Sequence, residues 1–227
     1  MAQTRLPSIK ACVFDAYGTL FDIHAPIGQV AASLGEKARP ISDLWRQKQL
    51  QYTWLHTLMG KHADFQNITR EALDYAFAAH DVDNETLKAR LMDLYMTLDA
   101  YEDAASALTA IRQQGHATAI LSNGTPTMLT AACNSAGLTG LLDEVISVED
   151  IAIYKPSPAV YQLAPNRLGV EPHEICFVSA NAWDISGAAS FGFQCIWINR
   201  FDMEPERLPG TPRAQISSLS ELAPLLG

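Results

Sequence analysis

Long apolar runs are absent from this sequence: nowhere does it hold the roughly 18 consecutive apolar residues that a membrane-crossing helix requires. Cysteine is scarce. Cys12, Cys133, Cys176 and Cys195 show no C-x-x-C spacing and three of them sit in apolar runs, so neither a zinc centre nor a disulfide framework is expected. The six histidines lack metal-ligand spacing, which argues against a histidine base or a catalytic metal. Positive charge is also short, with 16 Lys and Arg against 25 Asp and Glu for a net charge of -9 and no basic stripe. Nonspecific nucleic-acid binding is therefore disfavoured, and an anionic ligand has to be met by a few local cations. Residues 1–10 carry no long apolar core behind their basic residues, so no export signal is read and a cytoplasmic location is expected. Internal repeats and low-complexity segments are missing as well.

What is present suits a compact enzyme: 227 residues, 48% hydrophobic and 18% charged, enough for one large domain or a core with a smaller insertion. Short β-rich apolar runs at 11–15, 117–122, 144–148, 175–179 and 194–199 alternate with helical patterns. The fold class is α/β, a Rossmann-like parallel sheet flanked by helices. About 100 residues separate the first two strands, where a simple crossover needs only a few tens, so something is inserted. Helical patterns at 42–60, 70–80 and 85–98, with Ser42 as a cap and Gly60 as a stop, fill that gap. The expected organisation is a core of residues 1–21 and 101–227 with a helical cap over residues 22–100. Residues 204–212, rich in proline, read as a surface loop before a short final helix.

In such a sheet, function sits just beyond the carboxyl ends of the strands. Asp15, Ser122 with Asn123, Lys155, and residues 179–184 all fall there. The first strand leads into Val13-Phe14-Asp15-Ala16-Tyr17-Gly18-Thr19, a carboxylate on a buried strand tip before a glycine turn and a hydroxyl, placed for nucleophilic attack. A structural Asp capping a helix is the alternative for this segment alone. Taken singly, Arg46 reads sooner as a surface ion pair, Lys155 as solvated surface, and Ser122 and Asn123 as helix caps, while Tyr161 alone passes as packing.

The segment resembles the nucleophile strand of the haloacid dehalogenase superfamily, which reads Asp-x-x-Gly-Thr after apolar residues. The superfamily's phosphatases usually carry a second Asp two residues after the nucleophile, to protonate a leaving alkoxide; here that place holds Tyr17. Halide leaves as a stable anion and needs no proton. Leu121-Ser122-Asn123-Gly124, Tyr154-Lys155-Pro156, Phe177-Val178-Ser179-Ala180-Asn181-Ala182-Trp183-Asp184 and the helical stretch 44–55 around Trp45-Arg46-Gln47 extend the resemblance to the (S)-2-haloacid dehalogenases over nearly the whole chain. Where phosphatases end in paired acidic residues that hold magnesium, this chain offers Asn181 and Asp184. No metal and no cofactor are expected, although Asp15 and Asp184 together are able to bind magnesium weakly.

The resemblance implies roles. Asp15 is the nucleophile, and Arg46 with Asn123 receives the departing halide. Ser122 binds the substrate carboxylate with the Ala16 and Tyr17 backbone. Lys155 keeps Asp15 ionised; Ser179 and Asp184 orient Lys155, Asn181 places the hydrolytic water, and Asp184 is either its base or an orienting group. Thr19 and Tyr161 match further positions important in that family. Tyr17, Gln47, Leu50, Phe65 and Trp183 form the pocket for the substrate's alkyl group. The implied partners are a short 2-haloacid, its halide product and a second copy of the chain in a homodimer. Two rivals remain: a magnesium-dependent phosphatase or phosphonatase on the same core, and a catalytically silent protein that holds small carboxylates.

Overall fold

The computed structural model describes residues 5–226. A six-stranded sheet, parallel throughout, is built from β1 (Ala11–Phe14), β2 (Ala117–Ser122), β3 (Glu144–Ser147), β4 (Ile175–Ser179), β5 (Gln194–Ile198) and β6 (Ala214–Ile216), in the order β3-β2-β1-β4-β5-β6. Every residue of β1, β4 and β5 is buried, because helices cover both faces of the sheet; such strands read as continuous apolar runs rather than alternating ones. β6 was not expected from the sequence. It is three residues long, follows the exposed proline-rich stretch, and pairs with β5 alone, so it lacks a local signal of its own.

The register decides where the chemistry sits. Phe14 is level with Ile120 on one side and Val178 on the other. Asp15 and Ser179 therefore emerge side by side at the carboxyl edge, and the Asp15 N–H still bonds Val178 O at 2.9 Å. Ser122 leaves β2 on the same edge. Connections from β1 run outward to β2 and β3, whereas β4 to β6 lie on the other flank, so the crevice opens between β1 and β4.

Between β1 and the helix α5 (Ala104–Gln113) lie α1 (Ala25–Leu34), α2 (Ala38–Met59), α3 (Phe65–Ala79) and α4 (Glu85–Met96). α2 starts four residues before the expected Ser42, which lies inside the helix with its hydroxyl 3.0 Å from His24 Nδ1. Pro40 hides the true start: within a first turn the missing N–H is one of the donors left unpaired anyway. Gly60 does end the helix, at φ 61°. α3 begins earlier than its apolar pattern suggests, because Asp64 caps it by accepting from Asn67 N at 2.8 Å. The short final helix is absent; Leu219–Glu221 and Ala223–Leu225 are single 3-10 turns, interrupted where Pro224 removes a donor.

The chain leaves the sheet and returns to it as a paired strap. Asp22 N bonds Asp99 O, Tyr101 N bonds Leu20 O, both at 2.9 Å, and Phe21 bridges Ala100. Arg200, beyond β5, clamps both limbs: its guanidinium grips Asp103 with two 2.9 Å bonds, lies 4.1 Å from the Tyr101 ring, and reaches Thr19 O at 3.4 Å. Burial opposes ionisation of Asp103, but bonds from Arg200, Ser218 and Leu219 N outweigh it and hold the carboxyl below its usual range. Asp103→Asn should therefore cost about 2 kcal/mol of stability at pH 7, with denaturant titration as the measurement. Because the folded-state pKa is depressed, that deficit should be present at neutral pH and shrink as the pH falls through the ordinary Asp range near about 4.

Candidate active site

Four sheet-edge segments converge on Asp15. Lys155 stands on the loop following β3, and its peptide bond to Pro156 is cis. Asp184 and Trp183 lie in the first turn of α9 (Ala182–Phe191), directly after β4. Tyr161 ends the short helix α7 (Pro158–Tyr161), which lies in the chain between α6 (Pro126–Ser135) and α8 (Leu163–Leu168), and packs against α9 where Gly187 leaves room; a Cβ there would lie 2.5 Å from Tyr161 Oη. The sharp turn after Asp15 needs Gly18 at φ 90°, and it brings Thr19 back over the carboxylate.

The centre is a buried ion triad. Lys155 Nζ lies 3.2 Å from Asp15 Oδ1 and 2.8 Å from Asp184 Oδ2, and Lys155 is 1% exposed. Burial alone would push the ammonium down, yet the charges of Asp15 and Asp184 overcome it and hold Lys155 above its ordinary value. Asp184 goes up to about 6: burial raises it, the Asp15 charge adds to that, and Lys155 and the Tyr161 hydroxyl counteract only in part. Tyr161 Oη donates to Asp184 Oδ1 at 2.8 Å, so both oxygens of that carboxylate are held. Asp15 Oδ2 collects the other donors: Asn181 Nδ2 at 2.7 Å, Thr19 Oγ1 at 3.3 Å and Ser179 Oγ at 3.5 Å. The expectation that Ser179 orients Lys155 gives way here, because its hydroxyl turns to Asp15 and to Asn181 N at 3.1 Å.

Arg46 enters from α2. Its Nη2 donates to Asn181 Oδ1 at 3.3 Å and to Tyr17 O at 3.5 Å, while Nη1 donates to Gln49 Oε1 at 2.7 Å. The buried face of α2 is Ile41, Trp45, Gln49 and Thr53, a helical stripe that aims Arg46 at the crevice. Gln47, expected in the pocket, lies off that stripe and is exposed; Gln49, passed over in the sequence, is the glutamine that meets Arg46, Thr69 and Tyr95. Its place in the i, i+4 series with Trp45 was the available signal. Asn123 is buried and accepts from Lys155 N at 3.1 Å through its side chain, and Ser122, buried at the β2 tip, accepts from Gly124 N at 3.1 Å. Ala16 turns the backbone through its carbonyl, which accepts from Leu20 N and Phe21 N at 3.0 Å.

The apolar side chains divide into two groups. Tyr17, stacked on Tyr95 with centroids 5.5 Å apart and 5.4 Å from Phe65, forms an aromatic wall between nucleophile loop and helices. The Tyr17 hydroxyl is buried without a partner among the described residues, and burial pushes its pKa well up. Trp183 instead meets Trp54 edge-on at 5.4 Å, beside an apolar cavity of about 860 Å³ that Lys155, Leu58, Phe191 and Leu208 also line. Leu50 is half-buried on α2 and lines neither that cavity nor a small one of about 10 Å³ beside Arg46, Gln49 and Tyr95. All four cysteines are buried and form no disulfide.

The geometry can activate a carboxylate, receive an anion at a guanidinium and hold a water beside a second carboxylate. A family model described as haloacid dehalogenase-like hydrolase matches residues 9–192. The chain belongs to this family. Among its curated relatives, (S)-2-haloacid dehalogenase 1 of Pseudomonas sp. (strain CBS-3) is 51% identical, with 96% of each chain covered. (S)-2-haloacid dehalogenase 4A of Burkholderia cepacia is 49% identical over 96% of this chain and 95% of its own. The solved structure of L-2-haloacid dehalogenase from Xanthobacter autotrophicus with chloropropionic acid covalently bound superposes with a TM-score of 0.89 at 37% identity, covering 96% of this chain and 98% of that one. Likeness to these family members extends through the helices between β1 and β2 as well as the sheet.

Lys155→Met tests the electrostatics directly. Removing the ammonium deletes two of the influences that lower Asp184, so its titration should move above the starting value of about 6, and more of it should be protonated at pH 7. Carboxyl-specific infrared or NMR titration reads that shift; a titration that stays in place or moves down contradicts the triad.

Proposed function

We propose that this protein hydrolyses short-chain (S)-2-haloacids, such as 2-chloropropionate and haloacetates, to (R)-2-hydroxy acids and halide through an ester on Asp15. The observation that carries this reading is the pairing of a lysine-balanced carboxylate with Arg46 across Asn181, at a site whose phosphatase acid position is Tyr17. Asp15 Oδ1, held among the described residues by Lys155 alone, attacks carbon 2 in line. Arg46 and Asn123 draw the halide out on the opposite face while Ser122 and the Ala16 and Tyr17 backbone hold the substrate carboxylate. A fixed guanidinium lowers the barrier at the point where negative charge develops and supplies no proton, which halide does not require.

Water then attacks the carboxyl carbon of Asp15, so carbon 2 inverts only once. The ester carries no charge, and Asp184 loses one of the influences that raise its pKa. It is left as the ionised carboxylate of the site, held by Lys155 and Tyr161, able to take the proton from a water that Asn181 places and to return it to the hydroxy-acid oxygen as the ester C–O bond breaks and the Asp15 carboxylate is regenerated. In this reading α1–α4, within residues 22–100, act as a cap over the core of residues 1–21 and 101–227. Tyr17, Leu50, Phe65 and Trp183 surround the alkyl group. The same reading makes the enzyme a cytoplasmic homodimer, on its likeness to the family.

A phosphate-ester chemistry finds less support. Tyr17 Oη is packed over Gly124, where an added Cβ would lie 2.9 Å away, too enclosed to protonate a leaving alkoxide. Lys155 already supplies the positive charge between Asp15 and Asp184 that a divalent cation would bring. Two measurements decide. Asp15→Ala should lose halide release altogether, at least about a thousandfold as expected for a removed nucleophile. In a single turnover in heavy-oxygen water, the product from (S)-2-chloropropionate should be unlabelled and the label should reside in Asp15; label in the first-formed product would mean direct attack by water and end the ester reading.

A further inference from the structure

Asp15 is 6% exposed, Asn123 6% and Lys155 1%, and the space beside Arg46 is about 10 Å³. The larger cavity, of about 860 Å³, is lined by Lys155 and Trp183 and not by Asp15, so entry of a substrate to the nucleophile calls for α1–α4 to part from the sheet edge. What holds the two together next to the catalytic lysine is its neighbour, Tyr154. The side chain is 1% exposed, and it bonds the helical segment twice: backbone N to Thr57 Oγ1 at 3.1 Å on α2, and Oη to Ala63 O at 2.6 Å on the loop between α2 and α3. Its ring lies 5.3 Å from that of His62 and 6.3 Å from that of Phe65, both from the same segment. His62 Nε2 in turn lies 2.9 Å from Glu149 Oε2, on the turn after β3. Burial and the nearby Glu149 and Asp64 charges push the Tyr154 hydroxyl well up, which keeps it a donor.

We infer that Tyr154 is a positioning residue, a latch whose two bonds to Thr57 and Ala63 couple closure of the helical segment to the seating of Lys155 between Asp15 and Asp184. The coupling is covalent on one side, since Lys155 is the next residue and its N–H is fixed to Asn123 Oδ1 at 3.1 Å. When α2 and the 61–64 loop swing away, both Tyr154 bonds break and the backbone carrying the ammonium loses its anchor. When they close, Arg46 and Lys155 reach their stations together. The role is tied to the dehalogenase reading, because it concerns access to the same nucleophile.

The test uses the full chain with Tyr154→Phe, which keeps the ring and removes the bond to Ala63, and with Thr57→Val, which removes the other bond. Losing one such bond should open the seam about tenfold more often. Backbone hydrogen exchange over residues 57–64 in the substrate-free enzyme should accelerate by that factor, and the chloride burst from (S)-2-chloropropionate should slow by a similar one. Should one variant fail to fold, the other carries both readouts. The Asp184 titration should also move up from about 6 as Lys155 withdraws, which mere loosening of the seam would not cause. Faster exchange with a burst at the parent rate, or unchanged exchange, overturns the latch. A parent that releases no chloride defeats the dehalogenase reading instead, and exchange with the Asp184 titration then judges the latch alone.

Discussion

One ammonium, Lys155 Nζ, sealed between two carboxylates, sets the terms for the rest of the molecule. With Asp15 and Asp184 both ionised the triad carries one net negative charge in a site where each member is at most 6% exposed. Removing one partner of such a buried cluster commonly costs about 3–5 kcal/mol, because the remaining charge is left unpaired. The fold meets this cost with fixed donors. Tyr161 takes the second oxygen of Asp184, and Asn181, Thr19 and Ser179 take the second oxygen of Asp15. Those donors come from β1's turn, the β4 tip and α7, so the parallel register that sets Phe14 level with Val178 is what makes the cluster possible.

The central strands were legible because β1, β4 and β5 are buried on both faces. Runs such as Ile175–Ser179 carry β-rich apolar residues without alternation, and a doubly covered parallel strand is the natural home for that pattern. The insertion was legible from distance alone. Its helix starts were not: Pro40 reads as a breaker although a first turn tolerates it, and Asp64 caps from outside the apolar pattern. β6 and the final 3-10 turns are decided by pairing with β5 and by Pro224, neither of which a helical period reveals. In the site, Asp15, Arg46, Lys155, Tyr161, Asn181 and Asp184, all singled out in the sequence, meet. Gln47 and Gln49 mark the boundary of that legibility. They are two residues apart on one helix, and only the stripe of Trp45, Gln49 and Thr53 tells which faces inward. Ser179 shows the same limit at a finer scale, since which of two neighbouring charges a hydroxyl meets depends on side-chain torsion.

The uneven treatment of the two Asp15 oxygens bears on both chemical steps of the proposed route. Among the described residues, Oδ1 meets Lys155 alone, at 3.2 Å, whereas Oδ2 is within reach of three donors. An oxygen with fewer donors keeps more of its electron density, which favours Oδ1 as the attacking atom. Once Oδ1 is alkylated, Oδ2 becomes the ester carbonyl oxygen. Negative charge then develops on Oδ2 as water adds to the carboxyl carbon, in front of donors that were in place beforehand; preorganised donors of this kind are commonly worth about 3–4 kcal/mol each in acyl chemistry. Asn181 links the two halves of the cycle. Its amide nitrogen donates to Oδ2, and its amide oxygen holds Arg46, the proposed halide acceptor of the first step. A carboxylate at this position would repel Oδ2 rather than donate to it. The amide at 181 is thus as consequential for the ester route as the tyrosine at 17 is for the leaving group.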